Sequence, residues 1–157
     1  MKNLQGFVYP LHIELHPIGT VRSPFIKGVP GNIEMDQVEC RIVIDPAFRD
    51  GLFKLDAFFH IYILFYFHKI NKKPQMIVKP PRAGGISVGV FASRSPVRPN
   101  GIGIAIVKLK HIEGNEIYTS GFDALDGTPV LDIKPYIGSK DSKAEANNGW
   151  FEDLNRK

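Results

Sequence analysis

Residues 91–103 read FASRSPVRPNGIG, and two side chains in that string are suited to binding an anion. Ser95 and Arg98 each precede a proline, which pushes them towards extended backbone, and Pro96 and Pro99 have fixed φ. Arg94 and Arg98 therefore leave a pre-shaped loop in restricted directions. A guanidinium offers planar, two-point capture of a carboxylate or phosphate. Asn100-Gly101 then allows positive φ and a close approach of backbone to a ligand. The alternative is a rigid turn whose arginines pair with acidic neighbours.

A second cluster lies in SGFDALDGTPVLDIKPY, residues 120–136. Asp123, Asp126 and Asp132 surround Asp126-Gly127-Thr128-Pro129, a strong turn signal. With Lys134 and Tyr136 they describe a polar pocket floor, whereas an Asx-turn capped by Asp126 is the plainer reading. A third segment, KPPRAGG at 79–85, is a basic, proline-stiffened loop that suits a nucleic-acid backbone or an ordinary strand connection.

Other chemistries lack their signatures. The Gly101-Ile102-Gly103 and Gly84-Gly85 glycines do not open a helix within a βαβ unit, and no phosphate-binding G-x-x-x-x-G-K-[ST] is present. Ser93 and Ser95 lack the context of a hydrolase nucleophile. His60 and His68 share a strand face but stand about 26 Å apart when extended, too far to hold one ion. No metal is expected.

The elements that must position these loops read as strands. Within AFFHIYILFYFH (57–68), Phe59, Ile61, Ile63, Phe65 and Phe67 make one apolar face. His60, Tyr62, Leu64, Tyr66 and His68 make the other, so this is a long strand with one side in the core. Residues 11–22, 38–44, 76–79, 87–92 and 104–112 also read extended. A tight turn at Glu113-Gly114-Asn115-Glu116 leads into 117–122, which predicts a hairpin, and Val130 to Tyr136 adds a short strand. Helical signals are thin: Asp45 caps a turn or two with Pro46 in first place. The fold expected is all-β, a single-sheet antiparallel β-barrel with a few short helical turns. Residues 1–10 read as an N-terminal extension, 11–138 as the barrel domain, and 139–157 as a polar tail in which Trp150 and Phe151 serve as an anchor.

Composition agrees with a domain of this kind. Of 157 residues, 43% are apolar, enough for one compact core. Lys plus Arg outnumber Asp plus Glu by 20 to 16, which permits a polyanionic partner such as RNA without demanding one. A single cysteine, Cys40, excludes an internal disulfide framework, points to a reducing, cytoplasmic setting, and reads as a buried strand residue. The start shows no secretory signal, and the apolar run at 57–68 is too short to cross a bilayer as a helix, so no membrane partner is expected.

At these motifs the sequence resembles the TsaA-like proteins, also called the tRNA methyltransferase O or YaeB-like family. The resemblance runs from IGTVRSPF (18–25) through GLFKLDAFFHIYILFYFH (51–68), KPPRAGG and VGVFASRSPVRPNGIG to LDGTPVLDIKPY (125–136). It implies a β-barrel, a homodimer with the cofactor site near the subunit interface, and S-adenosyl-L-methionine as cofactor. It further implies methylation of the exocyclic nitrogen of threonylcarbamoyl-adenosine, just 3′ of a tRNA anticodon. Carried over by position, cofactor contacts fall at Arg94, at Ile104, at Ser120, Gly121, Phe122 and Asp123, at Lys69 and Ile70, and near Pro30, Gly31 and Asn32. The family usually has proline where this chain has Gly101, so its loop is expected to be less rigid. Longer bacterial members continue past the KPY motif with an extension expected to help hold tRNA.

For the reaction, a carboxylate accepting a hydrogen bond from the adenine amino group would receive the shed proton, and Asp126 is the candidate. Tyr136 or Tyr66 would stack on the base, while Arg82, Arg98 and Lys134 hold phosphates or the substrate carboxylate. Two other readings stand beside this one: a cofactor-binding sensor without turnover, and a plain RNA-binding barrel.

Overall fold

The computed structural model describes residues 13–31, 33–81 and 84–156. Among these, eight strands form: β1 (Gly19–Arg22), β2 (Glu39–Ile44), β3 (His60–Tyr66), β4 (Ile77–Val78), β5 (Val88–Gly89), β6 (Ile102–Glu113), β7 (Glu116–Ser120) and β8 (Pro129–Pro135). Six of them close into an antiparallel barrel in the order β1-β2-β7-β6-β3-β8, while β4 and β5 pair with each other as a separate ribbon. Closure removes the free edges that an open sheet of this size would expose. Two residue pairs close the seam between β1 and β8, Gly19 with Val130 and Thr20 with Pro129.

Strict alternation sets the interior. Ile61 and Ile63 of β3 are fully buried, as are Val21, Ile42, Ile117 and Val130 from β1, β2, β7 and β8. A small barrel is filled by its own side chains and leaves no channel. Phe65 continues that face and meets Phe67 and Phe122 in edge-to-face contacts, with ring centroids 5.1 and 5.4 Å away. Gly103 of β6 makes this packing possible, because a Cβ there would lie 2.5 Å from Phe65 Cζ and 2.9 Å from Phe67 Cζ. Cys40 is buried in β2, as expected.

The sequence-based elements hold with informative exceptions. Phe59, placed on the core face by alternation, is 82% exposed because the strand begins one residue later. Its carbonyl still accepts from Leu109 N–H at 2.9 Å. Of the extended stretch 11–22, only Gly19–Arg22 is strand, and residues 11 and 12 lie outside the described residues. The stretches 76–79 and 87–92 shrink to the two-residue β4 and β5, after which Val90–Ala92 turns as a 3-10 helix. Asp45 does cap the turn at Pro46–Leu52, accepting from Ala47 N–H at 2.9 Å. The tail is more ordered than its polarity suggests: Gly138–Asp141 forms a helical turn and Gly149–Arg156 a 3-10 helix.

No helix among the described residues is long and apolar enough to cross a membrane.

Candidate functional site

With the barrel interior filled, ligand space lies among the loops at its ends. The ASRSP loop leaves the β5 ribbon through Val90, which is buried and donates its N–H to Met76 O at 2.9 Å. Ser93 folds the chain back by donating its hydroxyl to Val90 O at 2.9 Å, and its Oγ accepts from Ser95 N–H at 3.3 Å. Arg98 then closes the loop from within. Its Nη1 donates to Ser93 O at 3.2 Å and more weakly to Ser95 O at 3.4 Å. The loop's second arginine is thus engaged with the loop's own carbonyls.

Arg94 differs. It is exposed, and among the described residues no hydrogen bond or ion pair engages its guanidinium. It lines a cavity of about 910 Å³ together with Lys79, Phe91, Asp123, Trp150 and Phe151. Asp123 is likewise exposed and unengaged among the described residues. One cavity therefore presents a free cation, a free anion and three aromatic rings. A smaller cavity of about 190 Å³ shares Ser93 and Arg94 and reaches Ile104 and Leu64 on the barrel wall.

The remaining expected residues divide into groups. Ser120 and Phe122 are buried, Phe122 packs on Phe65, and the Phe122 carbonyl accepts from the Cys40 thiol at 3.4 Å, so neither residue faces the cavity. Gly121, between them, has φ 80° and donates its N–H to Met35 O at 3.0 Å. Lys69 donates its ammonium to Ile26 O at 2.8 Å, and Ile70 is partly exposed; neither lines these two cavities. Pro30 and Gly31 stand outside them as well. Asn32 and Arg82 lie outside the described residues.

Asp126 has a different environment from Asp123. Its Oδ1 accepts from Ser23 N–H at 3.1 Å, its own N–H donates to Phe25 O at 2.7 Å, and Arg22 stands 4.0 Å from Oδ2. The carboxylate ties the end of β1 to the turn before β8; its partner belongs to another segment, so this is not the Asx-turn that the sequence suggested. Nearby, His68 Nδ1 lies 3.5 Å from Thr128 Oγ1. Burial pushes the His68 imidazole below its usual pKa and the Lys69 ammonium adds to this, against the Tyr66 backbone and the Asp126 carboxylate.

Lys134 and Tyr136 lie at the far end. Lys134 pairs with Asp132 at 2.7 Å, and Tyr136 packs against Tyr62 and His60. Lys134 sits opposite Tyr62 in the β3–β8 ladder, roughly 20 Å along the strand from His68. They do not share a pocket with Arg94. A second cavity of about 900 Å³ opens at that end beside Arg49, Phe53 and Lys54, but it gathers none of the expected site residues. Among the described residues no group of three His, Cys, Asp or Glu could hold a metal ion.

The sequence profile of the tRNA-methyltransferase O N-terminal domain matches residues 20–142. The chain belongs to this family. A probable S-adenosyl-L-methionine-binding protein of Archaeoglobus fulgidus is 39% identical over 145 residues, 91% of this chain and 39% of that protein. A human tRNA (adenine(37)-N6)-methyltransferase is 52% identical over 127 residues, 79% of this chain and 27% of its own length. The crystal structure of TrmO from Pseudomonas aeruginosa superposes with a TM-score of 0.73 at 35% identity, covering 88% of this chain and 62% of that one. The chain thus spans less than two thirds of each. As a tRNA-methyltransferase O domain it keeps the barrel and both loop motifs within the matched span. Trp150 and Phe151 lie beyond it. Sequence reasoning saw those two as an anchor and missed that they face the cavity; an aromatic pair in a polar tail was the one available signal.

Proposed function

We propose that the chain is an S-adenosylmethionine-dependent tRNA methyltransferase acting on the exocyclic amino nitrogen of threonylcarbamoyl-adenosine beside the anticodon. The observation that carries this reading is the cavity in which Arg94 and Asp123 stand unengaged together. The donor set fits the reaction: a guanidinium for the cofactor's carboxylate, apolar rings for its adenine, and a carboxylate for the amino group of the target. When bound, the cofactor supplies a methyl group made labile by the sulfonium that carries it.

The protein's part is alignment and exclusion of water. Arg94 holds the anionic end of the ligand, and Asp123 accepts a hydrogen bond from an amino group. Of the two candidate carboxylates, Asp123 faces ligand space, whereas Asp126 supports the turn; we therefore assign proton acceptance to Asp123 rather than Asp126. Tyr66, 45% exposed beside the loop, remains available for stacking on the target base, while Tyr136 is too distant. Lys79 and the loop around it supply positive charge for the RNA backbone.

A homodimer completes the proposal. Ile104 and Ile106 of β6 are 48% and 45% exposed, and β3 sets Leu64 and Tyr62 directly opposite them. This outward apolar strip borders the smaller cavity at Ile104, so a second copy seated on it would shelter the ligand. The working compartment proposed is the cytoplasm.

The test is incubation with threonylcarbamoylated tRNA and S-adenosylmethionine, reading an added methyl by mass spectrometry. Transfer that Arg94→Ala and Asp123→Asn abolish is the expected result; a wild-type protein that binds the cofactor without transfer refutes the enzyme. The naming of the Archaeoglobus relative as a binding protein favours that second reading, a cofactor sensor without turnover.

A further inference from the structure

The 3-10 helix Gly149–Arg156 folds back onto the ASRSP loop, although it belongs to no part of the matched family span. Trp150 fixes it there. Its indole N–H donates to Ala92 O at 2.8 Å, two residues before Arg94. Trp150 and Phe151 stack on each other with ring centroids 3.9 Å apart and planes 21° from parallel. The pair is not withdrawn into a core: Phe151 is 47% exposed, and both rings line the 910 Å³ cavity. Phe91, 77% exposed, lines the same cavity from the loop side.

Partly exposed rings gathered around a cavity are costly in water unless something covers them. Chemistry narrows the occupant. Flat aromatic faces suit a flat π-system, and the adjacent free Asp123 carboxylate can accept from an exocyclic amino group. The free Arg94 guanidinium suits an anionic group attached to that ring. An adenine nucleoside bearing a charged arm meets all three requirements.

We propose that Trp150, Phe151 and Phe91 form an adenine-binding wall, two-thirds of it supplied by the C-terminal 3-10 helix. This inference rests on the functional reading above and deepens it. Two sources of adenine are available, the cofactor and the target nucleoside, and the experiment separates them.

Trp150 is the chain's sole tryptophan, so its emission reports on this wall alone. The full-length chain is titrated with S-adenosylhomocysteine and, separately, with an anticodon stem-loop RNA, following emission and heat. Ring stacking on the wall quenches Trp150. The ligand that quenches it should lose about 5- to 100-fold in affinity in Phe151→Ala, with the other ligand unaffected. Quenching by S-adenosylhomocysteine assigns the wall to the cofactor, and quenching by the RNA alone assigns it to the target base. Phe91→Ala, on the loop side, should weaken the same ligand, which keeps the test valid if Phe151→Ala loosens the tail. If both ligands bind calorimetrically, neither quenches Trp150, and both variants bind like wild type, the wall takes no adenine. If wild type binds neither ligand, the functional reading falls and the wall with it.

Discussion

Substituting proline for Gly101 is the sharpest test of how the arginine loop is built. The resemblance drawn from the sequence places proline there, so a change guided by it would be expected to stiffen and stabilise the loop. The structure requires the reverse. Gly101 has φ 61°, whereas a proline ring holds φ near −65°. Its N–H donates to Arg98 O at 3.3 Å, and its carbonyl accepts from Phe67 N–H at 2.8 Å, so the residue staples the loop to the end of β3. Proline loses the first of these bonds, about 1 kcal/mol. Forcing the backbone out of the left-handed region adds at least another ~1–2 kcal/mol of rearrangement. Gly101→Ala keeps the N–H but bears the left-handed strain, about 1–2 kcal/mol, and its Cβ would lie 2.9 Å from the movable Tyr66 ring. With a urea slope of roughly 1–3 kcal/mol/M for a domain of this size, Gly101→Pro should lower the unfolding midpoint by about 1 M or more. Cofactor affinity should fall with it, because Arg98 and Arg94 ride on the same loop. A Gly101→Pro protein with an equal or higher midpoint would falsify the left-handed geometry and the reasoning built on it.

Four further outcomes follow from the same contacts. Gly103→Ala places a methyl against the buried Phe65 ring and its partly buried partner Phe67, and should cost about 1–3 kcal/mol in chemical denaturation, with a larger effect for Val. Asp126→Asn retains the Oδ1 acceptor for Ser23 N–H and should keep methyl transfer, whereas Asp126→Ala should lose about 1 kcal/mol of stability; loss of transfer in a folded Asn variant would return the proton-acceptor role to Asp126. Because the folded His68 pKa lies below its unfolded value near 6.5, the unfolded chain binds more protons as pH falls through that region. Stability should therefore decline on acidification below about pH 6.5, and His68→Gln should remove that part of the slope. Arg98→Ala removes the Nη1 donations to Ser93 O and Ser95 O, so it should raise the cofactor Kd while leaving the barrel's unfolding midpoint nearly unchanged.

The barrel was legible because its strands alternate. In β3 the period of two names Ile61, Ile63 and Phe65 as core, and they are buried. Alternation fails at Phe59, since a pattern cannot mark the residue at which pairing begins. It also fails for β4 and β5, where it says that the chain is extended but not which strand it meets. The loop's stiffness and its arginines were equally legible, yet Arg94 and Arg98 look alike in sequence; only the positions of Ser93 O and Ser95 O separate the free cation from the engaged one. Asp123 and Asp126 pose the same problem, with Ser23 N–H deciding between them. Lys134 and Tyr136 follow Asp126 closely in sequence but run down β8 to the opposite end, because a strand carries its residues away from the turn that starts it.

The stiffness expected from prolines is achieved here by a different device. Pro96 and Pro99 fix two φ values, but the stretch from Asn100 to Gly103 is shaped by glycine: one residue at positive φ, the other admitting two phenyl rings. Arg98 then draws the loop's carbonyls together, and the indole of Trp150 binds the carbonyl of Ala92 from outside. A filled barrel cannot house a ligand, so the cavity is assembled from three loop segments and one tail segment that meet only in the folded state. Three of these are held by side chains donating to backbone carbonyls: Ser93 and Arg98 within the arginine loop, Cys40 to Phe122 O beside Asp123, and Trp150 to Ala92 O from the tail. Such an arrangement leaves Arg94, Lys79 and Asp123 facing the cavity with no hydrogen bond or ion pair among the described residues, and a pocket pre-organised by its neighbours binds more tightly than one that must order itself around its ligand.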